Sequence, residues 1–240
     1  MLKYIAESRT GLKRAVNEDS VGVYKIDDGL LVIVCDGLGG DNAGEIASSL
    51  TVRTILTYFK NSSQSDILER IKGAFELANS ELRTYAYNNP DVRGMGTTAE
   101  VVYLAQNNVY WGHVGDSRLY IYSNGILRQL TKDHSLVQQM VDDGRLTLKQ
   151  AEKHPNRNII TRALGKSPIV DADLSKTRII SRSKFFVCTD GLNSVVTDEE
   201  LAVILNHDLE QSAANLIQIV ENRGAPDNYS IVIVETDDLS

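Results

Sequence analysis

The chain has 240 residues and a formal net charge of −7, with 42% hydrophobic and 24% charged residues. That length and balance suit one globular domain, residues 1–240, with a substantial core, and exclude wholesale disorder. The acidic excess argues against nucleic acid or an anionic membrane as partner, since each calls for a basic face.

In chain order, apolar runs predict strands at 20–26 and 30–35, and 3.6-residue periodicity predicts helices over 43–60 and 65–88. Strands follow at 99–105, 108–115 and 118–123, then short helices near 134–143 and 147–153. A strand at 184–189, a short helix near 198–206, a helix over 210–222 and a strand at 229–235 complete the pattern. Thr197 and Glu200 have capping-box spacing. Asp28-Gly29, Asn107-Asn108 and Asn124-Gly125 read as hairpin turns. Strands linked as hairpins around a pair of long helices give an α+β class rather than βαβ alternation. The polar, basic segment from about 134 to 168, with Lys149, Lys153, His154, Arg157 and Arg162, reads as an insertion in the strand pattern.

The longest apolar run, Leu30 to Cys35, is far short of a membrane span. The N-terminal MLKYIAESRTGLKR lacks the apolar stretch of a signal peptide. The two cysteines, Cys35 and Cys188, each end an apolar run and suit small buried hydrophobes; as spatial neighbours they would still form no disulfide framework. A soluble, cytoplasmic protein is expected.

The acids carry the chemical signal. Asp36 ends LLVIVC and is followed by Gly37; Asp190 ends KFFVCT and is followed by Gly191. Asp19 opens one predicted strand, Asp116 separates two, and Asp227 immediately precedes YSIVIVE. Asp and Gly are ordinary turn residues, so any one of these is explained by local structure. Five at five strand mouths is another matter, because converging carboxylates repel one another unless cations neutralise them. An oxygen-only set without His or Cys suits Mg²⁺ or Mn²⁺, and Gly37 leaves its carbonyl accessible as a further ligand. A P-loop is excluded, because Asp41, Asn42 and Ala43 follow Gly40 in place of Lys and Ser or Thr. A dinucleotide fingerprint from Gly37 fails at Asn42.

The motifs, in order, are Gly11, Arg14, Asn17, Glu18 and Asp19; D-G-x-G-G at 36–40 with A-G-E at 43–45; G-T-T at 96–98; and V-G-D-S-R at 114–118. L-T-x-D-H-S at 130–135, H-P-x-R-N-x-I-T-R-A-L-G at 154–165, T-D-G-L at 189–192 and D-N at 227–228 follow. The ordered set resembles the metal-dependent serine/threonine protein phosphatases of type 2C, in their compact bacterial form.

The resemblance implies a central sandwich of two mainly antiparallel sheets flanked by helices on both sides, an αββα arrangement, with segment 134–168 as a flap. It implies two Mg²⁺ or Mn²⁺ ions, with a third held weakly. Asp36 would bridge the pair and the Gly37 carbonyl would bind one; Asp190 and Asp227 would hold the first metal and Asp19 the second, with Glu18 sharing that task. Asp116 would hold the third together with Asp190. Arg14 would grip the substrate phosphate, and a water made acidic by the cations would attack phosphorus in one step. Partners would be phosphoserine and phosphothreonine proteins and a cognate kinase, and the chain would be a monomer. An inactive regulatory module of the same fold and a hydrolase of small phosphoesters are the competing readings. One departure stands out: Asp41 occupies a position where many bacterial members carry histidine. Of the four histidines, His113 is expected in a strand and His207 on a helix surface, and His134 and His154 belong to the flap motifs.

Overall fold

The computed structural model describes residues 2–27, 29–40, 43–179 and 182–237. Asp41, and Asp28 of the first expected turn, lie outside the described residues. The elements are β1 (Lys3–Arg9), β2 (Asp19–Ile26), β3 (Gly29–Leu38), α1 (Ala43–Asn61), α2 (Ile67–Asn88), β4 (Gly96–Thr97), β5 (Ala99–Ala105) and β6 (Asn108–Val114). Then come β7 (Arg118–Ser123), β8 (Ile126–Gln129), α3 (Leu136–Asp142), α4 (Leu148–Ala151) and β9 (Asp173–Arg178). The last are β10 (Lys184–Cys188), α5 (Asp190–Asn193), α6 (Asp198–Ile204), α7 (Leu209–Asn222) and β11 (Tyr229–Glu235).

Two antiparallel sheets are formed, ordered β1-β11-β10-β7-β8 and β2-β3-β5-β6-β9, with β4 added to β3. Alternation on the central strands builds four layers. Leu30, Val32 and Val34 of β3 face Phe185, Val187, Val232 and Val234 between the sheets. Leu31, Ile33 and Cys35 face α1 and α2, in a layer with Phe59, Ile71 and Phe75. On the other side, Phe186, Cys188, Ile231 and Ile233 meet Leu201, Leu209 and Leu216 of the C-terminal helices. Burial on both faces explains why these strands read as unbroken apolar runs. It also puts Cys35 and Cys188 in different outer layers, both free and buried, so they are not neighbours.

The sequence pattern missed four strands and one helix. β1 and β9 lie at sheet edges and are largely exposed, so neither shows apolar alternation. β4 and β8 are short, and α5 has four residues, too few for a helical period. The β5–β6 turn is centred on Gln106 and Asn107, with Gln106 at φ +52, rather than on Asn107-Asn108. Asn124 and Gly125 form the two-residue β7–β8 turn, both at positive φ. The Thr197–Glu200 capping box is closed in both directions.

Candidate functional site

The inter-sheet layer changes character at one edge of the sandwich. On alternate positions, Asp36 continues the inward face of Leu30, Val32 and Val34, and Ser230 continues that of Val232 and Val234. Asp19 opens β2 directly across from Asp36. Asp190 begins α5 beyond the end of β10, and Asp227 lies two residues before β11. Asp116 lies in the β6–β7 connection, reached from the same edge. The acids therefore replace apolar side chains where the sandwich opens. Asp19 and Asp116 are buried, at 7% and 9% exposure. Asp36, Asp190 and Asp227 line the mouth and keep some contact with solvent.

Asp36 and Asp19 are fixed by their surroundings. Thr98 holds both backbone groups of Asp36: Asp36 N donates to Thr98 Oγ1 at 2.9 Å, and Thr98 N donates to Asp36 O at 2.9 Å. Thr97 Oγ1 adds a 2.8 Å bond to Asp36 O. Asp19 Oδ2 accepts from Thr189 Oγ1 at 2.8 Å and Ser230 Oγ at 2.7 Å, while its buried Oδ1 has no partner. Asn228 pins the loop before β2, donating to Thr10 O and Val16 O and accepting from Glu18 N at 2.9 Å. Gly37 is required by packing, since a Cβ there would overlap the carbonyl oxygens of Gly44 and Glu18. Its amide donates to Glu18 O at 3.1 Å.

The electrostatics follow from this crowding. Burial, reinforced by the charges of Asp19, Asp190, Asp116 and Asp227, pushes the Asp36 carboxyl well above its ordinary range. Burial lifts Asp19 to about 7 against the opposing hydroxyls of Ser230 and Thr189, and lifts Asp116 to about 7 with Asp190 adding to it. Asp190 is raised by burial and by Asp227, although its carboxyl lies within hydrogen-bonding reach of Asp36. Burial also raises Glu18, whose side chain meets the Gly44 N–H at the start of α1. Arg14 pairs with Asp227 in a fork, Nε to Oδ1 at 2.8 Å and Nη2 to Oδ2 at 2.8 Å.

Among the described residues no three His, Cys, Asp or Glu side chains are drawn tightly enough to hold a metal ion as they stand. The donor chemistry nonetheless fits hard cations: only oxygen is offered, the carboxyls raise one another's pKa, and a buried carboxylate oxygen of Asp19 lacks any donor. The acids, Gly37 and Arg14 are thus gathered at one edge. The histidines take other places. His113 is buried on β6 against Glu100 at 2.7 Å, His154 accepts from Asn156 N, and His207 lies exposed in the turn after α6 rather than on a helix surface. Thr98, Thr189, Ser230 and Asn228 were missed as partners of the acids. Their signal is a polar residue on the inward face of a strand or just beyond its end, where the apolar alternation calls for a hydrophobe.

Residues 12–229 match the model of the protein phosphatase 2C family. PstP of Mycobacterium tuberculosis, a serine/threonine protein phosphatase, is 36% identical over 239 residues, covering 99% of this chain and 46% of PstP. The chain thus spans about half the length of that relative. The serine/threonine phosphatase stp of Listeria monocytogenes is 36% identical over 241 residues, covering 97% of this chain and 96% of stp. A PstP catalytic domain solved in complex with two manganese ions has a TM-score of 0.87 at 34% identity, covering 100% of this chain and 99% of that one. Matched over most of its length, at more than 30% identity to these phosphatases, the chain belongs to the protein phosphatase 2C family.

Proposed function

We propose that the chain, acting as one catalytic domain, is a serine/threonine phosphoprotein phosphatase that uses two Mn²⁺ or Mg²⁺ ions, with a third held weakly. The observation that carries this is the convergence of five strand-mouth aspartates on one edge, with Asp36 in the field of the other four. The manganese pair in the PstP catalytic domain supports it. Asp36 would serve both ions and the Gly37 carbonyl one of them; Asp190 and Asp227 would hold the first ion and Asp19 the second, with Glu18 sharing that task. Asp116 and Asp190 would hold the third. When bound, such ions offset charge on the phosphoryl oxygens and acidify a water for in-line attack on phosphorus.

The chain's own residues do the rest. Thr98 holds the Asp36 backbone, Thr189 and Ser230 turn Asp19 so that Oδ1 remains available, and Arg14 stands half-exposed at the mouth. Asp227 takes one N–H each from Nε and Nη2 of Arg14, which orients the guanidinium and leaves Nη1 and the second Nη2 N–H for a phosphate. A cleft of about 590 Å³ runs from Asp116 and Asp190 between the flap and α5–α6, past Lys149, Arg157 and Glu199, and gives a polypeptide substrate room to lie. Among the described residues no helix is long and apolar enough to cross a membrane. We place the chain in the cytoplasm, as a monomer opposing a Ser/Thr kinase.

The test is hydrolysis of a phosphothreonine peptide with Mn²⁺ and with EDTA. Turnover is expected with Mn²⁺ and a loss of at least about 10³-fold with EDTA. Equal turnover in EDTA sinks the cation reading; hydrolysis of p-nitrophenyl phosphate but not of the peptide would move the chain to small phosphoesters. A second prediction concerns Asp19. Thr189→Val removes one of the two hydroxyls on Oδ2, and Mn²⁺ affinity measured by calorimetry is expected to weaken about tenfold, as when partners that orient metal ligands are removed. Unchanged affinity would show that Thr189 does not orient Asp19.

A further inference from the structure

The flap is tied to the acidic edge through a histidine that the chemistry above does not use. His134 stands at the flap's entry and is buried, at 7% exposure. It clamps Gly115, the residue before Asp116, at two points. His134 N donates to Gly115 O at 2.7 Å, and Gly115 N donates to His134 Nδ1 at 3.1 Å. The backbone of His134 and the two residues after it pairs with the returning segment of the flap at 159–161. Thr161 N donates to His134 O at 2.7 Å, Ser135 bridges Ile160, and Leu136 N donates to Ile159 O at 2.8 Å. On the far side of the ring, Nε2 lies 3.3 Å from Asp173 Oδ2 and 3.0 Å from Arg162 Nη1. Arg162 itself bonds Asp173 Oδ1 at 3.0 Å and Asp171 Oδ2 at 3.0 Å.

Nδ1 accepts from the Gly115 amide, while Nε2 faces an acceptor, Asp173 Oδ2, and a donor, Arg162 Nη1, so both ring nitrogens are tied into the flap and the turn. The neighbouring His113 ring lies 4.5 Å from the His134 ring, centroid to centroid. Its Nδ1 meets Glu100 Oε2 at 2.7 Å and its Nε2 meets Lys132 O at 3.0 Å, and against its burial the Glu100 carboxyl raises its pKa. Burial, with His113 and Arg162 adding to it, lowers His134 to about 4. His134 is therefore poorly suited to proton transfer and well suited to holding position.

We infer that His134 is a positioning residue that couples the flap to the Gly115–Asp116 turn: cation binding at the acidic edge tightens the flap through Gly115, His134 and the Asp173–Arg162 pair. The flap's exit is tied to the same edge, since Leu164 and Thr97 exchange backbone bonds of 2.9 and 3.1 Å and the Thr97 hydroxyl binds Asp36 O. The inference rests on the reading of Asp116 as a cation ligand.

The experiment compares trypsin cleavage at the exposed flap sites Arg145, Lys149, Lys153 and Arg157 in saturating Mn²⁺ and in EDTA, using the full chain. Mn²⁺ binding is measured separately by calorimetry. In the native chain Mn²⁺ is expected to slow flap cleavage about fivefold, the scale of one net hydrogen bond. His134→Asn keeps an acceptor for the Gly115 amide and loses the bond to Asp173. Asp173→Ala breaks the same link from a side chain that is 52% exposed, so the fold is not at risk. Both variants are expected to bind Mn²⁺ as the native chain does, with the Mn²⁺-to-EDTA protection ratio falling below about twofold. A merely structural role would speed cleavage equally in both conditions and leave the ratio intact. That result, or a native flap indifferent to bound Mn²⁺, overturns the coupling; failure of the native chain to bind Mn²⁺ overturns the cation reading with it.

Discussion

Asp36→Asn is expected to lower kcat/KM for a phosphothreonine peptide by roughly 10³-fold, about 4 kcal/mol of transition-state stabilisation. The substitution keeps the side chain's shape, and the backbone bonds to Thr97 and Thr98 do not depend on the carboxylate. What it removes is the charge at the point where the fields of Asp19, Asp190, Asp116 and Asp227 converge. Removing one of several mutually repelling acids relieves the protein when no cation is present. The melting temperature in EDTA is therefore expected not to fall, while activity in Mn²⁺ collapses. Activity within about threefold of native would refute the assignment of Asp36, and a lower melting temperature in EDTA would mean the residue serves the fold rather than the chemistry.

Gly191→Ala should carry the largest stability cost among small changes at the site. A Cβ there would overlap the backbone carbonyl oxygen of Asn228 and press on the Tyr229 side chain. Backbone cannot rotate away as a flexible side chain would, so α5 must move off β11. The cost is on the order of 3 kcal/mol, which for a domain of this size lowers the melting temperature by roughly 6–12 °C. The same displacement would separate Asp190, which precedes the glycine, from Asp227, which precedes Asn228, so Mn²⁺ affinity should fall too. Gly40→Ala is the control: nothing lies within 4 Å of a Cβ at that position, and its effect should stay within about 0.5 kcal/mol. A Gly191→Ala melting temperature within about 2 °C of native would show that α5 and β11 are not held this closely.

The central architecture was legible in the chain because its strands are buried on both faces. LLVIVC, and the FFVC and IVIV stretches of β10 and β11, are apolar throughout for that reason, and the acids beyond their ends stand out against them. Edge strands left no such trace: β1 and β9 gain their order from backbone pairing with β11 and β6, which demands little of side-chain polarity. The acidic edge was likewise readable as a set of strand-mouth aspartates, and the family resemblance assigned them roles.

Sequence by itself thus determined which residues carry charge at strand ends and which runs must be buried, since both are properties of a residue and its near neighbours. Tertiary structure decided what holds those charges in place. Asp19 meets Thr189 and Ser230 across separations of 170 and 211 residues, and only the packing of the two sheets brings those hydroxyls to its Oδ2. Gly37 read as a bare backbone opened for a ligand, and the fold shows that the close approach of the Gly44 and Glu18 carbonyls demands it. His134 read as a histidine of a flap motif, and its two-point hold on Gly115 exists only because the β6–β7 turn and the flap fold against each other. Spacing along the chain records local periodicity; contacts between distant segments depend on how layers stack, and no single segment encodes that.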